Sequence, residues 1–108
     1  MFLTNLQHAS EWFEVLQTTD RSQTAVMTLD PGQASGDEAE NHSKSDQVLI
    51  VLDGEVLAEV GEERTRMCKG DVVVIPAGVN HRFENEGSAV ARTFSVYAPP
   101  AYPAEARG

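Results

Sequence analysis

The sequence predicts an all-β chain folded as a small sandwich or barrel, and three observations carry that expectation. The dominant hydrophobic period is two, the spacing of side chains on one face of a strand. The short apolar runs are separated by segments rich in Gly, Asp, Asn and Pro. Only one stretch has a helical look, and it is short.

Taken in order, that stretch is "HASEWFEVLQ", from His8 to Gln17. Ser10 suits a helix cap, but Phe13 stands where a capping box wants Glu. Trp12, Phe13, Val15 and Leu16 fit an N-terminal strand equally, so either a helical turn or a strand is expected. "SQTAVMTL" (Ser22–Leu29) puts Ala25, Met27 and Leu29 on one face. "QVLIVL" (Gln47–Leu52) and "DVVVIP" read as buried strands, and "EVLAEV" places Val56, Ala58 and Val60 together. In "AVARTFSVYA", Val90, Arg92, Phe94 and Val96 share one face, and Ala91, Thr93, Ser95 and Tyr97 share the other. The connections "LDPGQASGD", "LDGE", "VGEE", "CKGD", "PAGVN" and "NEGS" read as turns. Several short strands at close spacing, separated by such turns, belong to sandwiches and barrels. Ser35–Asp46 is a long, polar, acidic loop, and the tail from Ala98 to Gly108, with three prolines, is expected to be extended.

At 108 residues, 41% of them apolar, the chain is expected to be one globular domain, residues 1–108, with its strand-rich core at about 22–97. Its formal net charge is -9, from 17 acidic and 8 basic residues. That balance argues against nucleic acid and against anionic lipid, both of which need clustered Lys and Arg. No apolar run approaches the roughly 20 residues of a membrane helix. The N-terminus lacks the charged and apolar regions of a signal peptide. A single cysteine, Cys68, excludes an internal disulfide and reads as an incidental thiol beside Lys69. A cytoplasmic location is the expectation. His8 reads as a surface histidine, and Asp37, Glu38 and Glu40 as a solvated acidic run.

"GDVVVIPAGVNHRFEN" (Gly70–Asn85) concentrates the chemistry. Gly70 and Asp71 form a turn, Pro76 ends the following strand because it has no N–H to donate, and Gly78 permits a tight reversal. His81 then begins the next strand and shares a face with Phe83. If Phe83 is core, His81 points inward too, either as a metal ligand or as a hydrogen-bonded core histidine.

This stretch resembles the second motif of the cupin superfamily: Gly, five residues, Pro, any residue, Gly, two residues, His, three residues, Asn. Gly70, Pro76, Gly78, His81 and Asn85 fill every fixed position over 16 residues. The first cupin motif is Gly, five residues, His, any residue, His, three or four residues, Glu, six residues, Gly. Upstream, Gly36, His42 and Gly54 fit it, while Lys44 stands at the second histidine and Gln47 at the glutamate. Only two residues separate Lys44 from Gln47, one short of the pattern. A second register, read back from Gln47, puts His42 in the second histidine position and Glu40 in the first. The forward register, with His42 and Lys44, is preferred because it keeps the opening glycine and the histidine spacing together.

The resemblance covers about Gly36 to Asn85 and implies a small jelly-roll β-barrel. It implies that His81 is a metal ligand, with His42 and Gln47 as its partners. A divalent transition metal (Zn, Ni, Mn, Fe or Cu) is the implied cofactor, although a neutral amide replaces the usual carboxylate. Lys44 is expected to grip an anionic small molecule, with Phe83 and Arg92 as further ligand-binding candidates. Tyr97, on the opposite face to Arg92, is the other candidate to line the pocket. The implied activity is a metal-dependent dioxygenase, decarboxylase or sugar-phosphate isomerase, or else metal-free small-molecule binding or sensing. The resemblance also implies a homodimer.

Overall fold

The computed structural model describes residues 1–103; the end of the expected extended tail, residues 104–108, lies outside the described residues. Leu6–His8 form one 3-10 turn capped by Asn5, whose side chain accepts from the Gln7 N–H. Eight strands follow: β1 Phe13–Thr18, β2 Gln23–Leu29, β3 Asp46–Asp53, β4 Glu55–Val60, β5 Glu63–Cys68, β6 Val72–Ile75, β7 His81–Glu84 and β8 Ala91–Ala98. The ambiguous N-terminal stretch is therefore a strand from Phe13 onward. Its pairing with β2, Phe13 opposite Met27 and Val15 opposite Ala25, turns those side chains inward.

Five strands form one antiparallel sheet in the order β1-β2-β8-β3-β6, and three form the other in the order β5-β4-β7. The two sheets face each other as a jelly roll whose barrel does not close. Leu29, Leu49, Val51 and Ile75 from the large sheet meet Val56, Ala58, Met67 and Phe83 from the small one in a single buried cluster. Burying such side chains is the main driving force for folding, about 1.5–3 kcal/mol each.

β5 carries no apolar alternation. Five of its six residues are exposed and only Met67 is buried, so nothing in "ERTRMC" distinguished a strand from the turns around it. It forms because β4 offers a full partner edge, from Glu55 opposite Cys68 to Val60 opposite Glu63.

β8 buries Ala91, Thr93, Ser95 and Tyr97 and turns Arg92, Phe94 and Val96 outward. The hydroxyl-bearing face of this strand thus looks into the molecule. Asn85, fully buried, joins the end of β7 to its surroundings. Its Nδ2 donates to the Leu29 and Ala89 carbonyls at 2.9 and 2.8 Å, and its Oδ1 accepts from the Gly87 N–H at 2.9 Å. Among the described residues, no helix is long and apolar enough to cross a membrane.

Candidate metal centre

The turn Pro76–Gly78 and the start of β7 form one side of the centre, and the acidic loop forms the other. Gly78 takes φ +82°, a conformation that favours glycine, and its N–H donates to the His42 carbonyl at 2.9 Å. Glu40 and His81 exchange both backbone bonds, at 3.0 and 2.7 Å, as an isolated antiparallel bridge. Asn41 Nδ2 donates to Asn80 Oδ1 at 2.9 Å. Four bonds therefore tie residues 40–42 to residues 78–81, and they place the Glu40, His42 and His81 side chains together. One ligand atom from each lies within 4.8 Å of the others.

The protonation states favour cation binding. His81 is 3% exposed, and its Nδ1 lies 3.1 Å from the Val79 carbonyl. In a neutral ring that acceptor favours the proton on Nδ1 and makes Nε2 the atom that can bind a metal, the arrangement usual for metal-bound imidazoles. Burial holds His42 below the ordinary histidine value; nearby His81 adds to this and Glu40 opposes it. The shift favours the neutral imidazole, the form a metal ligand takes. Its ring lies 5.2 Å from that of His81 and packs edge-on against Tyr97 and Tyr102, at 5.1 and 5.3 Å. The Tyr102 hydroxyl lies 3.5 Å from His42 Nε2.

Below these groups is a cavity of about 270 Å³ whose lining includes Glu40, His81, Gln47, Phe83, Tyr97 and Tyr102. Among the described residues neither Lys nor Arg lines it. Lys44, expected inside the site, is exposed; Ser43 and Lys44 form a turn that carries the ammonium outward before β3 begins. The loop thus brings Glu40 to the cavity wall and sets His42 beside it and His81, the pair of the register read back from Gln47. Arg92 also lies elsewhere. It is on the outward face of β8, where its Nη2 donates to the Leu6 carbonyl at 3.0 Å and its Nε approaches Thr28 Oγ1 at 3.4 Å. Gln47 does line the cavity, buried, with Nε2 donating to Ser95 Oγ at 3.1 Å and Oε1 unpartnered. Phe83 is 1% exposed and serves as both core and cavity wall.

Sequence reasoning missed Tyr102. It stands in the proline-rich tail, and nothing local signals that the tail returns to the barrel. The buried Gln23 brings it there: Gln23 Oε1 accepts from the Ala101 and Tyr102 N–H groups at 3.1 and 3.0 Å, and Gln23 Nε2 donates to the Tyr102 carbonyl at 2.8 Å.

Comparison with known proteins agrees with this architecture. The chain is 27% identical to the YrkC protein of Bacillus subtilis over 94% of its own length, and the match spans 59% of that longer relative. It is 36% identical to a protein of Streptomyces coelicolor, over 69% of this chain and 68% of that one. The crystal structure of TT1209 from Thermus thermophilus superposes with a TM-score of 0.81 at 30% identity, covering 92% of this chain and 98% of the other. Residues 25–97 match the family described as Cupin domain.

Proposed function

The chain belongs to the cupin family, and on that premise we propose that it binds a divalent transition metal through Glu40, His42 and His81 and a small molecule in the cavity beneath. The observation that carries this reading is the convergence of those three ligand atoms within 4.8 Å at the cavity. Two imidazoles and one carboxylate form a donor set that suits Zn or Fe(II) and leaves coordination positions open. A metal so held would supply Lewis acidity toward an oxygen of the bound molecule. The chain's own residues would hold the metal and shape the ligand's site. With no Lys or Arg among the described residues of the cavity wall, attraction for an anion would rest chiefly on the metal.

The fold does not select the reaction. A predicted oxalate decarboxylase from Thermotoga maritima and a sugar phosphate isomerase from Silicibacter pomeroyi share it at 22% and 23% identity, with TM-scores of 0.73 and 0.69. A metal-free binding module is the second reading, favoured by the Tyr102 hydroxyl that already faces His42 Nε2.

Metal analysis of protein purified without chelator, followed by Co(II) titration, tests the proposal. One equivalent of metal and a visible cobalt spectrum, both lost in His81→Ala, are expected. A metal-free wild type that binds no Co(II) would favour the second reading.

A further inference from the structure

Gln47 and Thr93 stand apart from every other polar group in the cavity wall. Gln47 is 4% exposed and Thr93 1%, yet Gln47 Oε1 and Thr93 Oγ1 have no hydrogen-bond partner among the described residues. Both residues line the same cavity as Glu40 and His81. A buried polar atom without a partner is costly, and such groups in folded proteins are satisfied by a ligand, an ion or water. Thr93, Ser95 and Tyr97 succeed one another on the inward face of β8, about 7 Å apart by strand geometry. Gln47 lies directly across from Tyr97 and donates to Ser95. The result is a polar strip in an otherwise largely apolar wall, running inward from the Tyr97 ring that touches His42.

We infer that this strip is a subsite for the hydroxyl groups of a small, uncharged, polyhydroxylated molecule. The inference rests on the reading of this cavity as the ligand site and adds the ligand's chemical class. Among the described residues neither Lys nor Arg faces the strip, so no described side chain there would repay the desolvation of a phosphate or sulfate. The Tyr97 phenol can donate as well as accept. A hydroxyl also does both. It suits the Thr93 hydroxyl, and it suits the Gln47 amide whichever way round that amide stands. A ligand hydroxyl at Gln47 and another deeper, at Thr93, would satisfy both unpartnered atoms, with the near end of the ligand beneath Glu40, His42 and His81. The modest cavity, about 270 Å³, limits the ligand to a small one.

The test compares erythritol with butane-1,4-diol, which has the same carbon chain but lacks the two inner hydroxyls. Binding is followed by ligand-observed NMR on wild type, Thr93→Val and Gln47→Met, with Ser95→Ala as a third variant. Wild type is expected to prefer erythritol, and each of the first two variants to lose at least about fivefold in erythritol affinity. Thr93→Val replaces an unpartnered hydroxyl with a methyl group, so its thermal midpoint should equal or exceed that of wild type. Ser95→Ala removes the anchor of Gln47 and should lower the midpoint. Equal binding of the two probes, no binding of either, or erythritol binding unchanged in Thr93→Val and Gln47→Met would overturn the inference. Because Thr93 and Gln47 are not among the proposed metal ligands, Co(II) binding should survive in both variants. Loss of Co(II) binding in the wild type would instead count against the metal reading.

Discussion

The two stretches that meet at the metal centre are built by different means. Gly70–Asn85 runs through two strands and a tight turn, ending at the buried Asn85 with three side-chain bonds. Glu40–His42 has no strand of its own and takes its place from four bonds to residues 78–81. One stretch is a frame and the other is hung on it. The frame should therefore respond to mutation through stability, and the loop through binding.

The largest expected effect falls on the frame. Asn85→Ala would leave the buried Leu29 carbonyl, the Ala89 carbonyl nearer the surface and the Gly87 N–H without this partner, and should cost about 3 kcal/mol in a urea titration. A loss below about 1 kcal/mol would mean that the turn repacks without it.

His42→Ala is the matching change on the loop. Removing a direct ligand should weaken Zn or Co(II) binding by at least about a hundredfold, beyond what outer-shell changes typically cost. The half-buried imidazole should leave urea stability nearly unchanged. His81→Ala should do both, since it removes a ligand and also a buried ring bonded to the Val79 carbonyl. Were His42→Ala to unfold the protein, the distinction between frame and loop would fail.

These contrasts follow what was legible in the sequence. Every fixed position of Gly70–Asn85 could be read, because turn chemistry and strand alternation are local and His81 inherits its inward direction from Phe83. The loop offered two registers, and spacing alone preferred the one with Lys44. The choice is made by non-local bonds, the Glu40–His81 bridge and the Gly78 N–H on the His42 carbonyl, which no local pattern displays. Tyr102 was hidden for the same reason, because its anchor, Gln23, lies 79 residues away. On β8, alternation separated the two faces, but it left open whether Arg92 or Tyr97 lines the pocket. Arg92 suited an anion, yet the Thr93–Ser95–Tyr97 face is the buried one.

Alkali should probe the wall that joins the two stretches. Tyr97 is held above the ordinary tyrosine value, chiefly by burial, and Tyr102 is pushed up to about 12 for the same main reason. Above about pH 10 the unfolded chain releases these protons before the folded one does. Their contribution to stability is thus fully present below pH 10 and is lost as the pH rises toward 12 and beyond. Urea midpoints between pH 8 and 11 should fall above pH 10, and less steeply in Tyr102→Phe. An equal slope in that variant would place Tyr102 outside the linkage.

The smallest effect is expected at Lys44. Lys44→His should leave Zn affinity within about twofold, because the side chain points away from the cavity and a histidine there would not reach the metal. Tightening of tenfold or more would return the loop to the forward register.

The account rests on Glu40, His42 and His81 acting together as ligands. A crystal structure of the cobalt-loaded protein, with anomalous data collected at the cobalt edge, tests this most directly. The account predicts one strong peak bounded by all three side chains, with metal–ligand distances of about 2.0–2.2 Å. A peak elsewhere, or density that leaves Glu40 or either histidine uncoordinated, would contradict it.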